Sequence, residues 1–480
     1  MFQLIREGSN CNTVSRASRA AVLIDAADYF LRLEELLSRA QKSILIIGWD
    51  FDAGICLHAA PGDPGESLGA FLRNLVEKKP ELEIRILIWS LSLLHAPGDP
   101  IPLLFGAPWQ DHPRIHLRLD REHPVYGCHH QKIVCIDDSA AFVGGIDLTV
   151  GRRDTPRHIA NTQRRCNPDG KGYGPVHDMQ MLVAGPAAQS VADEARSRWY
   201  FATQEALPTA AVQPELWPTD LRPDFSDVAI AISRTAPPWR GRPPISEIRA
   251  LTIDMIKSAR QSIYIEAQYF TADILADLLV RALSRPEGPE IVLVLTGKGH
   301  GRIERLVLSQ NRDRLLRRLG RADKHGRLRA FYPVVPGPAD ARQVSVHSKL
   351  MIVDGQILRV GSANLNNRSM GLDTECDLLI EAGNDTQGAA IVSIRDRLLA
   401  EHLGKSRDDV AREYSRNGSL ISAIDALNGG PRRLEAFAIP ASGPVTPVWG
   451  TSLIDPKRPF RLLERIGPIG RRLSRVSART

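Results

Sequence analysis

A short pattern that occurs twice constrains this chain of 480 residues more than any other feature. His130 and Lys132 are followed by Asp137, and the same H-x-K-x4-D spacing returns in the second half of the sequence. Each copy runs through an apolar stretch into a turn that contains glycine. A single H-x-K is common by chance, whereas two full copies in matching contexts indicate an internal duplication. The second copy consists of His347, Lys349 and Asp354.

The chemistry of the pattern follows from strand geometry. Each copy leads into β-branched residues, which predict a short buried strand. Residues two apart on a strand project from one face, so the histidine and lysine of each copy should point together. Two such pairs would place two imidazoles and two ammonium groups around one phosphate. One imidazole could attack phosphorus while the other protonates the leaving oxygen, and the lysines would neutralise the non-bridging oxygens.

The duplication extends well beyond the motif. Strands that alternate with helical stretches predict an α/β fold, with a mainly parallel sheet flanked by helices in each half. We expect the halves to be pseudo-symmetric and to form one active site at their interface, so that neither half is active alone. The matching segments are 43–47 and 262–266, 84–88 and 291–295, and 115–119 and 328–332.

Composition divides the chain into four parts. A proline-rich stretch over 204–245 predicts a linker between the halves. The N-terminal half then covers 1–203 with the first motif, and the C-terminal half covers 246–430 with the second. A basic tail follows over 431–480.

Longer runs around both motifs resemble the phospholipase D superfamily, whose signature is two H-x-K-x4-D motifs. More narrowly, the chain resembles the phosphatidylcholine-hydrolysing branch of plants, animals and some bacteria. It departs from that branch at Val176, where tryptophan is common. The runs that carry the resemblance are GGIDL at 144–148, GRRDT at 151–155, VHDM at 176–179, IYIEAQYF at 263–270, GSAN at 361–364 and NRSM at 367–370.

Two acids occupy matching positions after the motifs. Asp178 and Glu375 each open a short apolar strand. In the resembling family the acids at these positions hold the catalytic histidines, and a held ring nitrogen fixes the tautomer. The resemblance also implies His130 as the nucleophile and His347 as the general acid, an order that the residues alone leave open.

The turn after the second motif differs from its counterpart. Ser362 and Asn364 carry hydroxyl and amide donors that could bind a phosphate oxygen. The first half has Gly145 and Asp147 there instead, so the two halves are not expected to be equivalent.

The aspartates of the motif are expected to be structural, and no metal site is expected. Asp137 and Asp354 are expected to support the fold rather than to touch substrate. No metal or other cofactor is expected, because the sequence lacks H-E-x-x-H, a calcium-binding loop and a cysteine–histidine zinc spacing. The lysines already supply positive charge.

The chain carries a formal net charge of +7, with basic residues concentrated in 302–329 and 457–480. The first segment predicts a helix with an apolar stripe between arginines, which could attach to anionic lipid. A solvated helix face and a loose tail are the alternative. We expect a phospholipid membrane surface as the partner and a monomeric protein. Nucleic acid is not expected, because no stacking aromatics interleave with the basic residues.

The first residues carry an early acid and no apolar core, and no apolar run is long enough to cross a bilayer. Neither a Sec signal peptide nor a transmembrane helix is therefore predicted. The six cysteines form no C-x-x-C pair, which favours a reducing compartment. We expect a cytoplasmic or peripheral membrane protein, with non-classical secretion as the alternative.

Three functions compete. The resemblance implies a phospholipase D that hydrolyses the distal phosphodiester bond of phosphatidylcholine or a related phospholipid to phosphatidic acid. Transfer to alcohols would be its companion reaction, through a phosphohistidine intermediate. A phosphatidyl transferase like cardiolipin synthase is the second possibility, although such enzymes usually lack the runs at 144–155. A nuclease is the third, although nucleases of this superfamily commonly carry one motif per chain.

Overall fold

The computed structural model of the protein describes residues 4–58, 65–90, 106–124, 126–160, 162, 165, 167–209, 214–297 and 302–457. Within these ranges the chain folds into two similar α/β halves that contribute to one large sheet.

The N-terminal half begins with a long strand and alternates strands with helices. Its strands are β1 Thr13–Ile24, β2 Ser43–Gly48, β3 Glu83–Trp89, β4 Ile115–Asp120, β5 Ile133–Ile136, β6 Ala140–Gly144, β7 Val176–His177 and β8 Met179–Ala184. Its helices are α1 Ala26–Arg39, α2 Leu68–Lys78 and α3 Pro186–Thr203, with a 3-10 turn at Pro108–Gln110.

The C-terminal half repeats this order and adds elements at its end. Its strands are β9 Phe225–Ala236, β10 Ile245–Ser246, β11 Ser262–Ala267, β12 Glu290–Leu295, β13 Leu328–Val335, β14 Arg342–Gln343, β15 Ser345–Val346, β16 Lys349–Val353, β17 Ile357–Gly361, β18 Glu375–Glu381 and β19 Arg433–Ala436. Its helices are α4 Glu247–Ser258, α5 Asp273–Ser284, α6 Arg302–Ala322, α7 Asp385–Leu403, α8 Arg407–Asn417, α9 Leu420–Leu427 and α10 Thr451–Ile454.

Each half contributes three parallel strands, β2, β3 and β4 in the first and β11, β12 and β13 in the second. The motif strands β5 and β16 pair antiparallel beside them and return through tight turns into β6 and β17. The long strands β1 and β9 pair antiparallel and join the halves. The predicted α/β fold is confirmed, and the sheet is mixed because tight turns join antiparallel neighbours.

The core explains why the strands are apolar on both faces. Along β2, Leu45 and Ile47 face a central cluster that both halves build, whereas Ile44 and Ile46 face a second cluster beneath α1 and α2. This alternation is the period-two geometry of a strand covered on both sides. The central cluster fixes the two halves against each other, which is the precondition for a shared site.

The segment 204–245 is not a linker throughout. Residues 225–236 form β9, which pairs with both β1 and β18 and occupies in the second half the place of β1 in the first. Its prolines lie on either side of this strand, where they interrupt no ladder hydrogen bond. In the tail, β19 pairs with β13, so the tail starts as part of the second half. Residues 458–480 lie outside the described residues.

Among the described residues, no helix has both the length and the apolar content that spanning a bilayer requires.

Candidate active site

The first histidine of the repeat is held by an acid from the other half. The Nδ1 atom of His130 lies 2.9 Å from Oε2 of Glu375. His130 comes just before β5, and Glu375 opens β18. A parallel bridge between His129 and Thr374 brings the two segments together. The imidazole is half-buried, and its Nδ1 contact leaves Nε2 as the nitrogen that can meet a substrate.

The second histidine shows the same arrangement in reverse. Nδ1 of His347 lies 2.6 Å from Oδ2 of Asp178, which belongs to the N-terminal half. The short strands β7 and β15 pair in parallel here, and the backbone N–H of His347 donates to the carbonyl of His177. Each imidazole is thus held by a carboxylate from the opposite half. A complete site therefore needs both halves.

The lysines differ in their partners. Lys132 forms a buried ion pair with Asp147, with 2.9 Å between Nζ and Oδ2. Lys349 has no such acid in contact among the described residues, and its Nζ lies 3.0 Å from Nδ1 of His347 and 3.4 Å from Oε1 of Gln268. Asn364 stands where the first half has Asp147, which removes one negative charge beside the second lysine.

Burial and the positive charges of the site lower the pKa of both imidazoles. Burial, followed by the charges of Lys132 and Lys349, holds the pKa of His130 well below its usual range. Burial, followed by the charges of Lys349 and Arg152, does the same to the pKa of His347. Because each lysine acts on the histidines of both motifs, the two His–Lys pairs belong to one site.

Burial also lowers the pKa of Lys349 to about 7, although the charge of Asp178 opposes the shift. An ammonium group poised near neutrality responds strongly to an anion, because a bound phosphate restores its charge. Lys349 is therefore suited to binding a phosphate oxygen.

The two acids lie in different surroundings. Burial raises the pKa of Glu375 to about 8, against hydrogen bonds from Ser362 and Ser369. Burial also raises the pKa of Asp178, against the positive charges of Lys349 and Arg152. One acid is thus surrounded by hydroxyl groups and the other by cations.

The predicted phosphate-binding serine has a different partner. The Ser362 hydroxyl donates to Oε2 of Glu375 at 2.5 Å and accepts from the backbone N–H of Cys376. A hydroxyl has one proton, so in this arrangement it cannot also donate to a phosphate. The contacts make Ser362 a partner of Glu375. In the first half Gly145 replaces it, because a Cβ there would lie 2.1 Å from Oδ1 of Asp178.

Asn364 is buried on the same turn. Within the described part of the chain, its side-chain oxygen has no hydrogen-bond partner, and its backbone N–H donates to the Ser369 hydroxyl. Only the side-chain N–H group of Asn364 could donate to a phosphate oxygen, because the unpaired oxygen is an acceptor.

The aspartates of the motif contact the fold. Asp137 accepts hydrogen bonds from the backbone N–H groups of residues 41–43, and Asp354 accepts from those of residues 260–262. Both aspartates have positive φ, at 50° and 52°. Each one ties the motif hairpin to the start of the neighbouring parallel strand, so these contacts are structural.

Two residues near the site were not singled out from the sequence. Arg152 lies close enough to affect the pKa values of both His347 and Asp178. Gln268 contacts Lys349. Both lie in runs that resemble the family, at 151–155 and 263–270, and that was the available signal. Their contacts required the folded chain.

A second group of polar side chains lies behind the site. Asp25, His158, His177 and Glu401 are fully buried, and a second group combines His177 with Glu266 and His402. Histidines and carboxylates of this kind can hold a metal ion. The sequence did not indicate the cluster, because its members are far apart along the chain.

Two family models match the chain. A model described as phospholipase D matches residues 116–214. A model described as cardiolipin synthase, PLD-like domain, matches residues 252–390. Each match contains one copy of the repeated motif.

Curated relatives align with most of the chain. Phospholipase D A of Dictyostelium discoideum is 24% identical in an alignment of 467 positions that covers 79% of this chain and 35% of the relative. Phospholipase D1 of Saccharomyces cerevisiae is 24% identical over 80% of this chain and 28% of its own length. Phospholipase D alpha 3 of Arabidopsis thaliana is 25% identical over 76% of this chain and 62% of its own. The chain thus spans about a third of the first two relatives.

The fold is similar to a solved structure, that of phosphatidylserine synthase from Haemophilus influenzae. The two superpose with a TM-score of 0.52 at 13% identity, covering 86% of this chain and 98% of the other. This likeness concerns the fold alone. The two family models, one in each half, and the aligned phospholipase D relatives lead to one conclusion: the chain belongs to the phospholipase D superfamily.

Proposed function

We propose that this protein is a phosphodiesterase of the phospholipase D type. It would hydrolyse the distal phosphodiester bond of phosphatidylcholine or a related phospholipid to phosphatidic acid and a free head group. The observation that carries the proposal is the crossed pair of imidazoles, each bound at Nδ1 by a buried acid from the opposite half. Two imidazoles that present Nε2 to one site beside two lysines fit a two-step displacement at phosphorus.

In the first step, Nε2 of His130 would attack phosphorus and form a phosphorus–nitrogen bond. The bond from phosphorus to the head-group oxygen breaks, and His347 gives that oxygen a proton. Glu375 would accept a hydrogen bond from the Nδ1–H of His130 and so keep Nε2 free for attack. A substrate phosphate would offset the charges of Lys349 and Arg152 that lower the pKa of His347. The 2.6 Å contact with Asp178 then suits His347 to hold the proton, since a carboxylate stabilises imidazolium.

In the second step, His347 would take a proton from water, whose oxygen attacks phosphorus. The phosphorus–nitrogen bond breaks and releases phosphatidic acid with His130 restored. Any small alcohol that reaches the same position can replace water, so transfer to alcohols is a companion reaction. Throughout, Lys132, Lys349 and the Asn364 amide would face the non-bridging oxygens.

A lipid substrate implies contact with a membrane surface, which we propose as the partner of a monomer, because one chain supplies both halves of the site. In the described part of α6, the apolar stripe faces the protein interior and is not available for that contact. Leu315 and Leu319 are buried in the C-terminal core, and Arg317 and Arg321 donate to backbone carbonyls within residues 440–444.

A phosphatidyl transferase is the second candidate, since one matching family model is described as cardiolipin synthase. It differs only in the acceptor of the second step, where the alcohol would be a phosphatidylglycerol.

The experiment incubates the purified chain with mixed phosphatidylcholine and phosphatidylglycerol vesicles and ethanol, without added metal. Mass spectrometry then identifies the lipid products, with His347→Ala as the control for contaminating activity. Phosphatidic acid together with phosphatidylethanol is the expected result. Cardiolipin alone would favour the transferase. No lipid product from the wild type would contradict both and direct attention to nucleic acid substrates.

A further inference from the structure

A buried carboxylate behind the site connects the two halves. Glu266 lies at the end of β11, and its side chain is fully buried. Its Oε2 atom lies 2.8 Å from Nε2 of His177 and accepts a hydrogen bond from Ser348 at 2.8 Å. Its Oε1 atom accepts from the Tyr264 hydroxyl at 2.6 Å and lies 2.9 Å from Nε2 of His402.

The two partners of Oε2 are the chain neighbours of the second catalytic pair. His177 precedes Asp178, and Ser348 follows His347. One oxygen atom of Glu266 thus binds both segments whose next residues form the 2.6 Å contact between imidazole and carboxylate. The segments belong to opposite halves, so this oxygen sets their spacing.

The first catalytic pair has a simpler support. Its corresponding neighbours are Gln131 and Thr374. Nε2 of Gln131 donates to Glu194, whereas the Thr374 hydroxyl lies 2.9 Å from Nδ1 of His129. No carboxylate bridges these two segments in the described part of the chain. The pseudo-symmetry of the active site therefore does not extend to the residues that adjoin the two catalytic pairs.

The bridging carboxylate of Glu266 is charged, and acids from both halves lie close to its partner His177. Burial alone would raise the pKa of Glu266, but the imidazoles of His177 and His402 outweigh it and hold the pKa well below its usual range. Nδ1 of His177 lies 2.7 Å from Glu401 and 3.2 Å from Asp25. Both ring nitrogens of His177 thus lie close to carboxylates.

We propose that Glu266 is a positioning residue for the reaction proposed above: by binding His177 and Ser348 with one oxygen, it holds Asp178 and His347 at the separation that proton transfer requires. The inference rests on the proposed function. It adds a residue that contacts neither substrate nor the reacting atoms.

The contacts of Glu266 with its histidines have the spacing of hydrogen bonds rather than of metal ligands. Their nitrogen–oxygen separations are 2.8 and 2.9 Å. Ligand atoms held 2.0–2.1 Å from a tetrahedral zinc ion would lie about 3.3 Å apart. Each oxygen of Glu266 also has two partners already, which leaves it no free position for an ion.

The test uses two variants, each of which removes one hydroxyl that donates a hydrogen bond to Glu266. Ser348→Ala removes a donor from Oε2, the oxygen that bridges the halves, whereas Tyr264→Phe removes a donor from Oε1. We expect Ser348→Ala to lower kcat for phosphatidylcholine about tenfold with KM nearly unchanged, because small misplacement of a reacting group slows chemistry without weakening binding. Tyr264→Phe should change kcat less than about threefold, and Glu266→Gln should lower it about a hundredfold.

Histidine nuclear magnetic resonance provides a readout that does not depend on activity. The Nδ1 proton of His347, in its short contact with Asp178, should give a far-downfield signal that disappears in His347→Ala. It should shift or broaden in Ser348→Ala and stay in place in Tyr264→Phe. If the wild type cleaves no lipid while these signals behave as expected, the proposed function fails and the positioning role stands.

Three results would overturn the inference. Equal effects of Ser348→Ala and Tyr264→Phe on kcat would show that Oε2 has no special role. An unchanged His347 signal in Glu266→Gln would show that the pair does not depend on the bridge. One equivalent of a divalent metal retained by the purified wild type would assign the bridging to an ion. Asp396→Asn, which disrupts a buried ion pair with Arg395 outside the cluster, controls for general loss of stability.

Discussion

At the scale of single residues, the site combines a symmetric plan with asymmetric surroundings. His130 and His347 occupy equivalent positions in the two copies of the motif, and each contacts a carboxylate through Nδ1. Their acids differ, since Ser362 donates to Glu375 whereas Gly145 leaves space for Asp178. These differences favour different roles for the two imidazoles.

The crossed pairing predicts how the acids divide the reaction. Asp178→Asn should impair His347 as an acid and so lower turnover of phosphatidylcholine about a hundredfold or more. It should matter much less for phosphatidyl-4-nitrophenol, whose leaving group departs without a proton. Glu375→Gln should impair attack by His130 and slow both substrates.

Rates of leaving-group release in the first turnover of the two substrates measure this division, because loss of His347 as a base also slows the second step. The reverse pattern, with the nitrophenyl ester rescuing Glu375→Gln, would mean that each acid serves the histidine of its own half.

The residues of the site were largely predictable from the sequence, and their pairing was not. Spacing marked both histidines and lysines, and the resemblance marked Asp178 and Glu375. Sequence cannot tell which acid meets which histidine, because that depends on how two strands from different halves lie side by side. The sequence suggests that the Ser362 hydroxyl binds phosphate. Its hydrogen bond to buried Glu375 becomes visible only in the folded chain.

At the scale of elements, the motif hairpins are fastened by the aspartates that complete the signature. Asp137 follows β5 and caps the start of β2, and Asp354 does the same for β16 and β11. Three backbone N–H groups per carboxylate would otherwise lose their partner where β2 and β11 begin. A β-hairpin so anchored holds its histidine at a fixed height above the sheet.

Replacement of either aspartate should therefore reduce stability more than chemistry. Asn tolerates the positive φ of this position but accepts with one oxygen and no charge. We expect Asp137→Asn and Asp354→Asn each to lower the free energy of unfolding by about 1–3 kcal/mol. Urea denaturation measures the loss, and kcat of the folded fraction should stay within about threefold of wild type. A collapse of kcat at unchanged stability would instead place these aspartates in the chemistry.

The strands of the fold were less evident than the motif. Repeated apolar segments identified β2, β3 and β4 and their counterparts, of which β2, β11 and β12 are almost entirely buried. The long strand β9 was hidden within a proline-rich stretch, and its role emerges only from its pairing with β1 and β18. Composition over a window of forty or so residues cannot separate a strand from the loops on either side of it.

At the scale of the whole molecule, a buried charge network joins the halves beneath the site. Burial would lower the pKa of His158, but the carboxylates of Asp25, Asp154 and Glu401 raise it to about 9. Its Nδ1 atom lies 2.9 Å from Asp154 and its Nε2 atom lies 2.9 Å from Glu401, so one ring connects an N-terminal loop to helix α7. Stability of the interface is thereby linked to pH.

The direction of that linkage follows from the shifts. A histidine pKa raised from 6.5 to about 9 stabilises the fold fully below pH 6.5, and this contribution is lost as the pH rises through 9. The lowered pKa of Glu266 stabilises the fold above pH 4.5, and its contribution is lost in more acidic solution. The network should therefore be most stabilising between about pH 4.5 and 6.5.

A comparison of wild type with His158→Gln tests this expectation. Wild type should exceed the variant in free energy of unfolding by an amount on the order of 3 kcal/mol near pH 6, since each pKa unit is worth about 1.4 kcal/mol. The excess should decline toward pH 9. Denaturation series at several pH values measure it, and an excess that stays constant from pH 6 to 9 would show that His158 carries no extra proton in the fold.

In the proposed two-step reaction, one imidazole carries the phosphatidyl group while the other only moves protons. The most direct measurement mixes His347→Asn with phosphatidyl-4-nitrophenol and follows nitrophenol release and phosphorus on the protein by rapid quench and peptide mass spectrometry. We expect His347→Asn to release a burst of about one equivalent of nitrophenol and to carry the phosphatidyl group on His130. We expect no burst in His130→Asn. A label on His347 in His130→Asn, or turnover without any labelled histidine, would contradict it.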